Sequence, residues 1–170
     1  MKKIYLAGPD VFEPNAVEMG EKLKQLVHKY GFIGLFPLDN IISAKQTPHE
    51  TARAIRDANI KLLESADIVM ANLNPFRGIE PDSGTVFEVG YAAALKKAIY
   101  CYAADCREMI ARVREQQQLP AGVTLCQEGK IIEDFELSHN LMLIDLVVAV
   151  DAESCLAHIA KRQGEGNPET

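Results

Sequence analysis

Two acidic residues, Asp82 and Glu88, lie six positions apart in a stretch whose other residues are mostly small or apolar. A carboxylate in such surroundings is costly to bury unless it is paired or used in chemistry. Glu88 is therefore a candidate nucleophile or proton acceptor. The alternative is that Glu88 lies on the solvent face of an amphipathic helix, and one turn of sequence leaves both interpretations open.

Asp82 also has two interpretations. Aspartate is strongly preferred as the N-cap of a helix, and the sequence pattern favours that role. The functional interpretation is a carboxylate at the mouth of a pocket that binds a hydroxyl or moves a proton. The two roles exclude each other only if backbone N–H groups occupy the whole carboxylate.

Metal and cofactor chemistry have no support in the sequence. The cysteines (101, 106, 126 and 155) form no C-x-x-C pair, and the histidines (28, 49, 139 and 158) form no H-x-x-x-H pair. Reduced, partly buried thiols are expected. Dinucleotide loops, phosphate loops and the serine nucleophile elbow are all missing. We therefore expect no metal and no cofactor.

Composition points to one soluble globular domain. The chain has 170 residues, 48% of them hydrophobic and 25% charged, with a formal charge of -6. The negative charge argues against nonspecific binding to nucleic acid. The first apolar run, residues 4–7, is too short for a signal peptide, and no stretch is long enough for a membrane span. A cytoplasmic location and no membrane partner are expected.

Strand and helix patterns alternate along the chain. Strands are predicted at residues 4–7, 32–36, 67–71, 98–102 and 146–150. Helices are predicted at residues 15–30, 47–65, 82–97, 106–118 and 152–161, with loops at 38–46 and 120–130. Thr47, Pro48 and Glu50 have the form of a capping box. Ile55, Leu62 and Leu63 are expected to face inward.

This alternation predicts an α/β fold: one doubly wound (flavodoxin- or Rossmann-like) domain over residues 1–163, with a disordered tail at 164–170. Its five-stranded parallel sheet would carry helices on both faces. Ligands of such sheets bind beyond the carboxyl ends of the strands, near the topological switch point. Unusual segments follow two of these strands: residues 8–12 (GPDVF) and residues 72–78 (NLNPFRG). Gly84 would allow a helix to approach the sheet or a ligand closely.

Four segments together resemble the nucleoside 2-deoxyribosyltransferases. They are residues 5–9 (YLAGP), 74–78 (NPFRG), 81–90 (PDSGTVFEVG) and 140–142 (NLM). The D-x-G-T-x-x-E core, the upstream P-F-R-G and the late N-L-M are specific as a set, whereas each is weak alone. The resemblance runs from the first strand to about Asp145. It is nearest to the branch that accepts both purine and pyrimidine deoxynucleosides.

The resemblance implies a role for each matching residue. Glu88 matches the nucleophile that attacks the anomeric carbon, and Asp82 matches an acid near the sugar 5′-hydroxyl. Asn72 stands where many members carry an aspartate that is implicated in proton transfer, so base binding is expected of it instead. Tyr5 matches a residue near the nucleophile, and Phe12 one near the base.

Asn140 and Met142 match residues that a neighbouring subunit donates to close the sugar site. The resemblance therefore implies a homo-oligomer, a dimer or a hexamer, with shared pockets. Asp39, in the loop at 38–46, is a further candidate contact to the base. The expected substrate-binding residues are Tyr5, Gly8, Phe12, Asp39, Asn72, Phe76, Arg77, Gly84, Asn140 and Met142.

The implied reaction exchanges the base of a deoxynucleoside for another free purine or pyrimidine base. Glu88 would displace the first base to form a covalent deoxyribosyl-enzyme, and the second base would attack from the opposite side. One alternative is an N-glycosidase in which water replaces the second base, acting on deoxynucleosides or on their 5′-monophosphates through Ser83 and Arg77. Asp82 near the 5′ end would repel a phosphate. A remote alternative is an inactive nucleotide-binding module.

Overall fold

The computed structural model describes residues 1–40 and 47–165. Residues 41–46 of the predicted loop and residues 166–170 of the predicted tail lie outside the described residues. Five strands and five α-helices alternate along the described residues: β1 Lys3–Ala7, α1 Ala16–Lys29, β2 Ile33–Leu35, α2 Pro48–Glu64, β3 Ile68–Asn72, α3 Ser83–Ala94, β4 Ala98–Tyr102, α4 Met109–Gln116, β5 Val147–Ala149 and α5 Ala152–Glu165.

The strands form one parallel sheet in the order β2-β1-β3-β4-β5. This confirms the predicted doubly wound α/β fold. The chain leaves β1 toward β2 on one side and returns to β3 on the other side. The topological switch point therefore lies between the carboxyl ends of β1 and β3.

Successive residues of β1 point to opposite faces of the sheet, and each face has its own buried core. Ile4 and Leu6 pack with residues of α1 and α5. Tyr5 and Ala7 pack on the other face with residues of α2 and α3. Tyr5 is buried on that face, and its placement brings a phenol group toward α3.

Local signals set most of the helix ends. Thr47 and Glu50 form the predicted capping box of α2, with Pro48 in its first turn. Gly31 follows α1 at φ 83°, a left-handed conformation that costs glycine little. Leu63 is buried as predicted, but Ile55 is 44% exposed and does not face the core. The closing helix α5 runs to Glu165, beyond its predicted end at residue 161.

A third, smaller core lies beside the sheet and supports the irregular segment after α4. Met109, Ile110 and Val113 of α4 pack there against Ile132. The α4 helix is shorter than predicted, because the first three residues of the predicted helix, 106–108, do not adopt helical structure. Over the described ranges, no helix combines the length and apolar character required to cross a bilayer.

Candidate functional site

Tyr5 and Glu88 form the centre of the candidate site. The Tyr5 hydroxyl donates a hydrogen bond of 2.6 Å to Oε1 of Glu88. Tyr5 rises from the middle of β1 and is fully buried, while Glu88 lies on α3 and is half-buried. Of the two interpretations that the sequence left open, the structure selects the inward-facing one. Sheet packing thus fixes the tyrosine, and the tyrosine in turn orients the carboxylate.

Burial raises the pKa of Glu88 to about 7, and the negative charge of Asp82 adds to the rise. The hydrogen bond from Tyr5 acts in the opposite direction and lowers this pKa, because it favours the ionised carboxylate. Burial and the nearby Glu88 charge raise the pKa of Tyr5 well above its usual range. The phenol therefore remains a hydrogen-bond donor, and Glu88 is poised to titrate near neutral pH.

Replacing Tyr5 with phenylalanine should move the acidic limb of the kcat/KM profile to higher pH. The variant loses the bond that stabilises the Glu88 carboxylate, so the pKa of Glu88 should rise above about 7. Activity that needs ionised Glu88 would then fall at pH 7 and recover at higher pH. The control is Tyr91→Phe. Tyr91 lies on α3, as Glu88 does, but its phenol hydroxyl is bonded to Glu64 of α2. An unmoved limb in Tyr5→Phe would contradict this role for Tyr5.

Asp82 is the N-cap of α3, as the sequence pattern favoured. Its Oδ2 accepts hydrogen bonds from the backbone N–H of Thr85, at 2.8 Å, and from the Thr85 hydroxyl, at 3.0 Å. Both bonds end on the same oxygen, so Oδ1 has no partner among the described residues. The N-cap therefore leaves half of the carboxylate available to a ligand. A Cβ at Gly84 would lie 3.0 Å from Oδ2, so glycine leaves this carboxylate uncrowded.

A polar network joins the carboxyl ends of β1, β3 and β4. Nδ2 of Asn72 donates to Oδ2 of Asp10 at 3.0 Å. Oδ1 of Asn72 accepts two hydrogen bonds from Asn74, one from the backbone and one from the side chain. Oδ1 of Asn74 in turn accepts from the backbone N–H of Ala104. The Asn72 amide is therefore held in one orientation at the switch point.

Gly8 makes this network possible. A Cβ at this position would lie 2.5 Å from Oδ2 of Asp10 and 2.8 Å from Cβ of Asn72. Any larger residue would displace one of them. Gly8 thus serves close packing beside the site, and Asp10 joins the site as a residue that the sequence analysis did not select. The sequence signal that could have identified Asp10 is its position directly after Gly8-Pro9, which ends the first strand.

Phe12, Phe76 and Arg77 form a second group at the same edge. The two rings stack with centroids 4.9 Å apart. The Arg77 guanidinium lies 4.7 Å from the Phe76 centroid and 5.6 Å from the Phe12 centroid, within the range of a cation–π interaction. Arg77 has φ 52°, an uncommon conformation for a residue other than glycine. This group offers a flat apolar surface of the kind that stacks on a base.

Asn140 and Met142 lie apart from Glu88. With Ser83 and Val86 they line a cavity of about 290 Å³ against α3. Val86 precedes Glu88 by two residues, about 200° around the helix, so this cavity and the Glu88 carboxylate face different sides of α3. Met142 is 78% exposed. Asn140 and Met142 therefore lie against a different side of α3 from the Glu88 carboxylate of the same chain.

Asp39 is already engaged within its own subunit. Oδ1 forms an ion pair of 2.6 Å with Lys24, and Oδ2 accepts from the backbone N–H of Phe36 at 2.9 Å. Both bonds hold the short 3-10 helix Pro37–Asp39 after β2. The expected contact between Asp39 and a base stays a prediction. The rest of the loop that would carry it lies outside the described residues.

Residues 138–141 are anchored by groups that the sequence analysis did not select. Arg112 is buried, and its guanidinium donates to the carbonyls of Ser138 and Ile79. His139 is also buried, with Nε2 3.0 Å from the Leu73 carbonyl. Burial lowers the pKa of His139, which favours the neutral ring. Their partners are backbone carbonyls far away in sequence, and no periodic pattern marks such pairings, so sequence alone could not find these anchors.

Metal binding has no visible basis in residues 1–40 and 47–165, where no group of three or more His, Cys, Asp or Glu could hold an ion. Cys101 and Cys155 are buried free thiols. Burial raises the pKa of each to about 12, so neither is a thiolate at neutral pH.

Comparison with known proteins gives a consistent family. The family described as nucleoside 2-deoxyribosyltransferase matches residues 4–142. A structure described as a 2-desoxiribosyltransferase from Leishmania mexicana is similar, with 34% identity and a TM-score of 0.77, covering 95% of this chain and 98% of that one. An uncharacterized protein of Schizosaccharomyces pombe is 33% identical over 125 residues, or 72% of this chain. The chain spans 59% of the length of that relative.

Two further structures resemble the fold alone. One is a 2-deoxyribosyltransferase from Bacillus psychrosaccharolyticus, with 18% identity, a TM-score of 0.56, and coverage of 93% of this chain and 90% of that one. The other is a conserved protein from Enterococcus faecalis V583, with 20% identity and a TM-score of 0.61, covering 95% and 99%. Both support the arrangement of the sheet and its helices.

Proposed function

Because the chain belongs to the nucleoside 2-deoxyribosyltransferase family, we propose that it transfers 2-deoxyribose between nucleobases, with Glu88 as the nucleophile. The observation that carries the proposal is the half-buried Glu88 carboxylate held at 2.6 Å by a fully buried tyrosine. A structural carboxylate would be expected at the surface or in an ion pair. This one is oriented by a neutral donor and kept free of cationic partners among the described residues.

The proposed reaction is a retaining double displacement. Ionised Glu88 attacks the anomeric carbon as the glycosidic bond breaks, and the leaving base takes the electron pair and a proton. The acceptor base then attacks the same carbon from the opposite side and releases Glu88. The transition state resembles an oxocarbenium ion, so an anion fixed beside the sugar stabilises it. A pKa raised to about 7 leaves part of Glu88 ionised at neutral pH and makes that carboxylate a stronger nucleophile than an ordinary one.

Asp82 is the candidate partner for the 5′ end of the sugar. Its Oδ1 is available, while Oδ2 holds the first turn of α3 and so fixes the direction of the carboxylate. A carboxylate accepts a hydrogen bond from a 5′-hydroxyl but repels a 5′-phosphate. This favours free nucleosides over nucleotides as substrates. The proton that the leaving base takes up is then supplied by water, and the acceptor base gives up a proton to water when it attacks.

The base would bind at the other end of the site, where Asn72 and the Phe12–Phe76 pair lie. The Asn72 amide is already oriented by Asp10 and Asn74, so it offers fixed hydrogen-bonding groups without acid–base chemistry. Phe12 and Phe76 provide the apolar surface for stacking. Asn72 and these rings would thus bind purine and pyrimidine bases alike.

We also propose that each pocket is shared between two copies of the chain. Asn140 and Met142 lie against the side of α3 that does not carry Glu88, so they are better placed to serve a neighbour than their own site. Leu141, Met142 and Ile144 are exposed apolar side chains in the same short stretch. A homodimer or hexamer would cover them. A cytoplasmic location and a domain ending at residue 163 remain predictions.

A base-exchange assay tests the proposed function. The enzyme is incubated with deoxyinosine, with and without adenine, and the products are separated chromatographically. Formation of deoxyadenosine and hypoxanthine is expected. Free deoxyribose as the sole sugar product, whether or not adenine is present, would establish a hydrolase instead. Deoxyinosine 5′-monophosphate and inosine serve as the nucleotide and ribonucleoside controls, and both should react poorly.

A further inference from the structure

We propose that Glu133 is a positioning residue that holds the 140–142 segment in the shape needed to complete the pocket of a neighbouring subunit. The inference rests on the proposed function, because it assigns a role within the shared pocket. Glu133 follows the buried Ile132 in the irregular stretch after α4, and it lies outside the segments that resemble the family's motifs.

The carboxylate of Glu133 contacts the segment at two successive residues. Oε1 accepts a hydrogen bond of 2.6 Å from Nδ2 of Asn140, and Oε2 accepts one of 3.1 Å from the backbone N–H of Leu141. A carboxylate is an acceptor on both oxygens, so it fits two converging donors. Hydrogen bonds to an ionised acceptor are also shorter and stronger than neutral ones.

These two bonds fix which way the Asn140 amide points. Because Nδ2 donates to Glu133, Oδ1 is directed to the other side, where it accepts from the backbone N–H of Met142 at 3.0 Å. The amide therefore caps the short 3-10 helix Leu141–Leu143. Each group still has capacity for a ligand: the second hydrogen of Nδ2 and the second lone pair of Oδ1.

Glu133 can act as a support because its own backbone is held by the third core. Ile132 is buried with α4, and its N–H donates to the Thr124 carbonyl. Two residues before the segment, Arg112 from α4 binds the Ser138 carbonyl. Ile132 and Arg112 thus both connect the support of the segment to α4. Beyond those anchors Met142 is 78% exposed and free to contact a second subunit.

Glu133→Gln tests the inference. Glutamine keeps the size of the side chain but presents one NH2 group toward two donors, so one of the two hydrogen bonds must be lost. Displacement of Asn140 by a fraction of an ångström should lower kcat/KM by about tenfold to a hundredfold. The KM for the deoxynucleoside should rise more than the KM for the acceptor base, because the segment is proposed to contact the sugar. The matched control is Glu136→Gln, which changes an exposed glutamate that has no side-chain hydrogen-bond partner within residues 1–40 and 47–165; this variant should be neutral.

Mixed oligomers then show whether the Glu133→Gln substitution affects the pocket of its own subunit or that of the neighbour. Glu88→Ala and Glu133→Gln subunits, carrying different affinity tags, are co-expressed and purified through both tags. In each mixed pair one pocket combines intact Glu88 from the Glu133→Gln subunit with an intact 140–142 segment from the Glu88→Ala subunit. Activity of about half that of the wild type, far above either parent variant, is expected from this symmetry.

A mixed oligomer no more active than half of the Glu133→Gln homo-oligomer would overturn the inference, because the lesion would then act on its own subunit. The same pairing of Glu88→Ala with Asn140→Ala separates the causes of failure. If activity recovers in the Asn140→Ala pairing but not in the Glu133→Gln pairing, the role of Glu133 is refuted and the shared pocket stands. No recovery in either pairing would refute the shared pocket as well, while base exchange by the wild type would still stand. If Glu133→Gln melts early, Glu133→Asp, which keeps both acceptor oxygens, supports the same comparison.

Discussion

Glu88→Gln should lower kcat for deoxyribosyl transfer by about a thousandfold or more, as expected when a covalent nucleophile is removed. The amide has the size of the carboxylate and can still accept the Tyr5 hydrogen bond, but it cannot displace the base. The loss should appear in kcat as well as in kcat/KM. Base exchange with deoxyinosine and adenine, followed under saturating substrate, measures it. Near-normal turnover would refute the assignment.

The same variant should keep its fold, and its stability carries a second test. Since the pKa of Glu88 is raised to about 7 in the folded protein, its stabilising contribution is present at low pH and is lost as pH rises through 7. The amide does not titrate. The melting temperature of Glu88→Gln minus that of the wild type should therefore be higher at about pH 8.5 than at about pH 5. If the variant melts well below the wild type at both pH values, its inactivity would be explained by loss of folding.

Asp82→Asn should lower kcat/KM by about tenfold to a hundredfold while leaving the melting temperature nearly unchanged. Asparagine is as good an N-cap as aspartate, so α3 keeps its bond to the Thr85 N–H. What the variant loses is the charge proposed to bind the 5′-hydroxyl. Asp82→Ala removes the N-cap as well, and should cost about 1 kcal/mol of stability in addition.

The pH profile of Asp82→Asn separates its two effects. The Asp82 charge raises the pKa of Glu88, so its removal should shift the acidic limb of kcat/KM to lower pH, opposite to the shift expected for Tyr5→Phe. Full activity with an unshifted limb would show that Asp82 serves only as an N-cap.

The fold followed from the sequence because its signals are local. Short apolar runs marked the strands, two of them closed by Gly8-Pro9 and Pro37, and the capping box at Thr47 marked the start of α2. Errors occurred where a tertiary contact decides the outcome. Ile55 fits the apolar spacing of α2 yet is 44% exposed, because α2 reaches the core near its C-terminal end, where Leu63 is buried.

The sequence marks the two acidic residues of the candidate site but not their geometry. The resemblance places Tyr5 near the nucleophile, and the packing of α3 on the sheet adds the hydrogen bond that joins Tyr5 to Glu88. The supporting residues were not predictable, because Arg112 and Glu133 act through partners 26 and 7 residues away in irregular chain. The ion pair between Asp39 and Lys24 was not predictable either, because it joins α1 to the segment after β2. Such pairings depend on tertiary contacts that no periodic pattern encodes.

The central claim is that Glu88 forms a covalent bond to the sugar, and trapping that intermediate tests it most directly. The enzyme is mixed with deoxyinosine without an acceptor base, quenched in acid, and digested for mass spectrometry. The account predicts that the peptide containing Glu88 gains the mass of one deoxyribosyl group, and that adenine added before the quench removes it as deoxyadenosine. An adduct on another residue, or an unmodified Glu88 peptide during active base exchange, would contradict the account.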